Sequence, residues 1–212
     1  MKSLKNLILQ NVNSNIKSKI DKRLNDFKKI NKKTKEEWFS ELCFCILTAN
    51  SKASTAINIQ NQLGYHGFRN LSQEELSNFI RNNKHRFHNN KSKYICESRN
   101  YENIQEIIIN IIKNKNEKFA REWIANNIKG LGLKEASHFL RNVGYTNLAI
   151  LDRHVINLML EHSLIKEKPK TLSKNTYLEL ENKLQKLCNQ LEMSQAQLDM
   201  HLWYLKTGEV LK

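Results

Sequence analysis

Residues 128–144 read IKGLGLKEASHFLRNVG. The chain has six glycines and one proline in 212 residues, and three of those glycines fall within these 17 positions. Gly130 and Gly132 bracket one leucine, and a helical pattern begins directly after them with Lys134 in its first turn. A helix, a short apolar-Gly-apolar-Gly turn and a second helix make a helix–hairpin–helix pattern. Glycines permit positive φ angles and let the backbone approach a ligand closely. The turn and the start of the second helix then present N–H groups to a phosphate oxygen. Carbonyls on the other side of such a turn can hold a monovalent cation that bridges to DNA. An ordinary αα-hairpin with glycine caps fits the turn equally well.

Working outward, apolar residues recur at helical spacing through most of the chain. Leu4, Ile8, Val12 and Ile16 open a basic amphipathic segment that runs to Phe27. Thr34 to Glu37 forms a capping box for a helix through Trp38, Leu42 and Ile46 that stops near Asn50. A further helix follows over SKASTAINIQNQLG and closes at Gly64, and Ser72-x-x-Glu75 caps the next. KSKYICESRNY, IQEIIINIIKNK and EKFAREWIANNI lead into the hairpin. KEASHFLRNV and DRHVINLMLEHSLI leave it, Pro169 sits in a polar connection before Ser173, and Ser194-x-x-Gln197 caps the last helix. The scarcity of Gly and Pro argues against a turn-rich β protein. The expected fold is all-α, with two helical subdomains flanking a cleft near the hairpin. One spans about residues 34–128, and the other about residues 1–33 plus 129–212.

Lys and Arg total 35 against 21 Asp and Glu, a formal net charge of +14. Such a surplus repels itself unless a polyanion offsets it, and nucleic acid is the specific partner that fits. AT-rich coding bias, which raises Lys, Asn and Ile together, is the competing explanation. The four cysteines, Cys43, Cys45, Cys96 and Cys188, have no zinc or iron–sulfur spacing and suit a reducing compartment. No apolar run approaches membrane-spanning length and MKSLKNLILQ lacks a signal-peptide core, so an intracellular, cytoplasmic protein with no membrane partner is expected. With DNA as its partner, it is expected at the nucleoid and as a monomer.

The helix macrodipole disfavours a cation at the position of Lys134 by roughly 0.3–1 kcal/mol. An amine partly desolvated at such a place loses its proton more readily, and a neutral amine is a nucleophile. Asp152 follows 18 positions later at the start of the DRHVINLML helix, where it also suits an N-cap. A lysine amine and a carboxylate facing one cleft at a DNA-binding hairpin suit base excision by Schiff-base chemistry. The amine attacks the sugar C1′ as the base leaves, and the carboxylate stabilises the positive charge developing on the sugar. Asn50, at the end of the ILTAN helix, is placed either to fill the gap left by a flipped base or to serve as a helix C-cap. His85, Arg86 and His88 are either phosphate contacts or a solvated basic face.

ELCFCILTAN, IKGLGLKEASHFLRNVG, AILDRH and LWYLKTGEVLK, in that order, resemble the archaeal-type 8-oxoguanine DNA glycosylase/lyases of the helix–hairpin–helix superfamily. The resemblance runs from about residue 19 to residue 212. It implies excision of 8-oxoguanine from double-stranded DNA followed by β-elimination at the abasic site, with no cofactor required. It selects Lys134 as the nucleophile, leaving Lys129 as a flanking phosphate-facing or structural residue, and it assigns the aspartate role to Asp152. It also implies a DNA-phosphate contact for His154 and cation-holding carbonyls near Asn126, Ile128 and Leu131. Phe87 and Trp203, which otherwise suit a core, become stacking planes for the flipped base. Lys212 becomes a base contact through a terminal carboxylate, with Asp199 contributing from the final helix. A noncatalytic helix–hairpin–helix DNA-binding module and a glycosylase for another damaged base are the alternatives. The absent C-terminal cysteine cluster argues against the iron–sulfur branch, and a lysine at 134 against a monofunctional enzyme.

Overall fold

The computed structural model describes residues 4–212; residues 1–3, where the second expected subdomain begins, lie outside the described residues. Among the described residues there are twelve α-helices, one 3-10 turn and no strand. The helices are α1 (Leu4–Val12), α2 (Asn15–Asn31), α3 (Lys35–Thr48), α4 (Ala53–Asn70), α5 (Gln73–Asn82) and α6 (His88–Ser98). Then follow α7 (Ile104–Asn114), α8 (Glu117–Asn127), α9 (Leu133–Asn142), α10 (Arg153–Glu161), α11 (Lys174–Leu191) and α12 (Gln195–Thr207). No described helix is long and apolar enough to cross a membrane.

Local chemistry sets most of the boundaries. Thr34, Ser72 and Ser194 each close a capping box with Glu37, Glu75 and Gln197, so the first N–H groups of α3, α5 and α12 are satisfied. The N-terminal segment departs from a single helix. Asn13 and Ser14 break it, and the Ser14 hydroxyl accepts the Ile16 N–H to start α2. Gly64 leaves helical geometry as expected, at φ 54°, ψ −166°, but the helix resumes beyond it to Asn70.

From Trp38 to Leu47, α3 is apolar apart from Ser40 and Glu41. Trp38, Phe39, Leu42, Phe44 and Ile46 are all fully buried, so it runs as a central rod that other helices must surround. The cluster around it draws on Phe68 and Ile80, Ile104 and Ile124, and Phe139 and Leu140 of α9. A second cluster joins α1 to α10, α11 and α12 through Ile8, Met159, Tyr177 and Leu198. A third packs Ile20, Leu24 and Phe27 of α2 on Ala196 and Met200 of α12. The hairpin helix α9 therefore belongs to the first core and touches α2 at its far end. A Cβ on Gly144 would lie 3.1 Å from the Phe27 carbonyl, which is what that approach excludes.

Candidate active site and nucleic-acid interface

Ile128 ends α8, donating its N–H to the Ile124 carbonyl at 2.9 Å, and its own carbonyl accepts the Leu131 N–H at 3.3 Å. Gly130 then turns the chain at φ 86°. A Cβ there would sit 2.5 Å from the Tyr94 ring, so both the dihedral and the space demand glycine. Gly132 differs from the expectation: its φ is −95° and ψ −170°, ordinary extended backbone, and it serves as the N-cap of α9. No side chain caps that helix. Its first-turn N–H groups are left for an external acceptor such as a phosphate oxygen.

Lys134 follows in the first turn of α9, with its side chain 26% exposed and its Nζ 3.4 Å from Glu135 Oε1. It lines a cleft of about 400 Å³ with Glu122, Asn126, Gly132, Lys174 and Tyr177. Lys129, by contrast, points out from the turn, 68% exposed and 3.5 Å from Glu97. A third lysine, Lys91, escaped the sequence reading. It is buried and donates to the Ile46 carbonyl at 2.7 Å. Burial pushes its ammonium down to about 8; Glu135 opposes the shift and Lys134 adds to it. Like-charged Lys91 thus shares the electrostatic neighbourhood of the Lys134–Glu135 pair. Its only trace in sequence is a helical spacing that places it on the buried side of α6.

Asp152 is the N-cap of α10, and Oδ1 accepts the N–H groups of His154 and Val155, each at 2.8 Å. Both cap bonds fall on one oxygen, so the carboxylate can cap its helix with Oδ1 while Oδ2 serves another purpose. The approach to it is fixed from behind. Tyr177 donates to the Ala149 carbonyl at 2.7 Å, and the Ala149 N–H donates to Glu181 at 3.0 Å. Asp199 is buried on α12 in an ion pair with Arg141. Burial pushes its carboxyl up to about 6 against the Arg141 attraction; the Asp152 charge adds to the rise and Lys134 opposes it. Asp199 therefore senses both Lys134 and Asp152. His154 meets the Trp203 ring edge-to-face at 5.6 Å, which brings those two expected residues together beside Asp152.

The tail comes back into the body. Lys212 Nζ donates to Glu41 at 2.6 Å and to Gln60 at 2.5 Å, and lies 4.4 Å from the centre of the Phe44 ring. His138, edge-on to the same ring at 5.7 Å, faces the Lys212 main chain. Burial, reinforced by Arg141, Lys134 and Lys212, holds that imidazole well below its usual range and so uncharged. Glu41, Gln60 and His138 were missed from sequence. The available signal was Glu41, a carboxylate at helical spacing inside the apolar run WFSELCFCIL.

The remaining expected residues lie apart. Phe87 is 39% exposed, and its ring partner is the Arg86 guanidinium at 4.8 Å. Asn50 follows α3 in the left-handed region at φ 58°, with its carbonyl accepting from Arg86 at 2.9 Å. That is the position a helix-terminating Asn takes, and the residue is exposed. His85 is neither a phosphate contact nor a solvated residue. It is buried, its Nε2 lies 2.9 Å from the Leu47 carbonyl, and burial lowers its pKa. His88 bonds Ser77 Oγ at 2.9 Å through Nδ1. Among the described residues no group of three His, Cys, Asp or Glu gathers to hold a metal ion.

The sequence pattern of the family described as 8-oxoguanine DNA glycosylase (Ogg-HhH) matches residues 20–193. A protein of Methanocaldococcus jannaschii named 8-oxoguanine DNA glycosylase/AP lyase is 49% identical over 200 residues, covering 94% of this chain and 95% of that protein. A similarly named protein of Korarchaeum cryptofilum is 38% identical over 209 residues, covering 99% and 98%. Among solved structures, the M. jannaschii glycosylase/lyase bound to a 15mer DNA containing 8-oxoguanine superposes with a TM-score of 0.95 at 47% identity, covering 99% of each chain. The Thermotoga maritima 8-oxoguanine DNA glycosylase gives 0.91 at 37% identity, covering 99% and 98%.

Proposed function

Since the chain belongs to the 8-oxoguanine DNA glycosylase family, we propose that Lys134 and Asp152 carry its chemistry, on a site built around the hairpin. The protein is a DNA glycosylase with AP lyase activity that acts on 8-oxoguanine. The observation that carries the residue assignment is the placement of Lys134 in the first turn of α9, on the wall of the 400 Å³ cleft, with Asp152 capping the helix that follows.

In the first step the Lys134 amine attacks C1′ as the glycosidic bond breaks. The departing base takes up a proton, and the amine nitrogen loses one as the hemiaminal between Lys134 and C1′ forms. Positive charge on the sugar is greatest while both bonds are long, and a fixed carboxylate such as Asp152 lowers that barrier electrostatically. Opening of the sugar ring gives an imine between Lys134 and C1′. Loss of a C2′ proton then expels the 3′ phosphate, cutting the strand, and water frees the lysine. Trp203 and Phe87 stack the extruded base, and Lys212 and Asp199 contact its edge. The free N–H groups at Gly132, with Gly130, Lys129 and His154, hold phosphates, while Asn50 fills the vacated stack. The Ile128 carbonyl already accepts the Leu131 N–H, but a carbonyl has a second lone pair. With the Asn126 and Leu131 carbonyls it would hold a monovalent cation bridging to DNA. The enzyme works as a monomer inside the cell.

Borohydride reduction of the imine gives the test. Wild type leaves a covalent adduct with 8-oxoguanine duplex DNA and Lys134→Gln leaves none. An adduct persisting in Lys134→Gln would move the nucleophile elsewhere, with Lys129 the first alternative. Running both proteins on several lesions opposite each base checks the substrate assignment in the same experiment.

A further inference from the structure

Glu41 is a carboxylate only 5% exposed, on a helix that from Trp38 to Leu47 is otherwise apolar except for Ser40. Burying such a charge is costly unless a cation and hydrogen-bond donors meet it. The cation comes from 171 positions away: Lys212 Nζ, 2.6 Å from Glu41 Oε1. Gln60 closes the triangle, giving its amide N–H to the same oxygen at 3.0 Å and accepting from Lys212 at 2.5 Å. Gln60 is itself oriented by the Ser40 carbonyl and hydroxyl, both at 3.1 Å. The second Glu41 oxygen accepts from the Asn142 side-chain amide at 3.1 Å, and the Asn142 side-chain oxygen Oδ1 accepts from the Arg141 guanidinium at 3.3 Å. Arg141 ends on Asp199. One polar chain therefore runs from the tail through α3 and the end of the hairpin helix to α12.

We propose that Glu41, assisted by Gln60, is a positioning residue that locks the tail through the Lys212 ammonium before DNA binds. The tail then meets the extruded base as a preformed wall, and no ordering entropy is lost at the moment of recognition. The link through Asn142 and Arg141 holds that wall in register with the helix that carries Lys134. This inference rests on the reading that Lys212 contacts the lesion.

Two measurements separate the inference from that reading. Hydrogen exchange of residues 208–212 in the DNA-free protein reports the lock itself. In Glu41→Gln it should accelerate roughly 10- to 100-fold, the factor carried by one charge-assisted hydrogen bond. Lys212→Met should do at least as much, since it also loses the Gln60 bond. The double variant should add nothing beyond Lys212→Met, because Glu41 acts on the tail through that ammonium. Cleavage of a preformed abasic site should stay near wild type in Glu41→Gln while 8-oxoguanine excision falls. Unchanged tail exchange, additive effects, or an equal loss of both reactions would overturn the proposal. Faster tail exchange with full excision would leave the lock standing and remove Lys212 from base recognition. Should Glu41→Gln fail to fold, Lys212→Met gives the exchange and activity readings alone.

Discussion

Arg121 and Glu181, 60 positions apart, form a buried two-pronged ion pair, with Nη1–Oε1 at 2.5 Å and Nη2–Oε2 at 3.0 Å. The guanidinium lies 5.2 Å from the Tyr177 ring centre. Glu181 also receives the Ala149 N–H, and the Tyr177 hydroxyl holds the Ala149 carbonyl. The first hairpin helix, α11 and the segment entering Asp152 are thereby fixed to one another. Removing one partner leaves an uncompensated buried charge, so Arg121→Met should cost about 3–5 kcal/mol in urea unfolding. The double variant Arg121→Met/Glu181→Met should recover most of that loss. A single-variant cost under about 1 kcal/mol would mean the pair is solvated in solution.

Asp152 combines an N-cap with a proposed electrostatic role, and the two are separable. Asn caps helices as well as Asp does, so Asp152→Asn should keep its bonds to His154 and Val155 and melt close to wild type. Its charge is gone, however, and excision should fall by roughly 10²-fold or more, as when one electrostatic stabiliser is removed. Asp152→Ala should lose activity and also about 1 kcal/mol of stability. Full single-turnover excision by Asp152→Asn would remove the carboxylate from the chemistry.

The hairpin glycines should respond unequally. Gly130→Ala must adopt φ 86° and meet the Tyr94 ring at 2.5 Å. It should distort the turn, cost about 1–3 kcal/mol and weaken binding to DNA of any sequence. A Cβ at Gly132 has as its nearest neighbour Glu135 Oε2 at 3.6 Å, ordinary contact at a negative φ. Gly132→Ala should fold as wild type, and any loss of DNA affinity would come from crowding the phosphate approach. Equal unfolding midpoints for the two variants would show that Tyr94 yields.

The helices were readable because their starts carry side-chain chemistry. Thr34, Ser72, Ser173 and Ser194 are each local signals, and each caps the helix expected of it. Lys134 and Asp152 were legible from the family resemblance more than from position, since a first-turn lysine is only mildly unusual and an aspartate at a helix start is an ordinary N-cap. What stayed hidden is non-local. Neither Glu41 nor Lys212 hints at the other across 171 positions, and buried Lys91 looks like any surface lysine until the Ile46 carbonyl is seen to accept its hydrogen bond. His85 misled because a basic run has no mark distinguishing the one residue that turns inward.

Acid should destabilise the protein through its buried imidazoles. Burial lowers the pKa of His201 from 6.5 to about 4, with Asp21 opposing and Lys17 assisting. Burial likewise lowers His138 and His85. In the unfolded chain these imidazoles take up protons below about pH 6.5, where the folded protein does not. The stability they provide is therefore complete above that pH and is lost as pH falls toward 4. Asp199, raised to about 6 from 3.8, works the other way. It favours the fold below 3.8, and that contribution is lost as pH rises through 6. Burial also raises the Glu117 carboxyl, and three imidazoles against these two carboxyls predict a melting temperature that drops between pH 7 and pH 5. His201 Nδ1 has no hydrogen-bond partner, so His201→Leu removes a titration at little structural cost. The variant should flatten the decline without changing the pH 7 value by more than a few degrees. An unchanged slope in His201→Leu would assign the acid sensitivity to other groups.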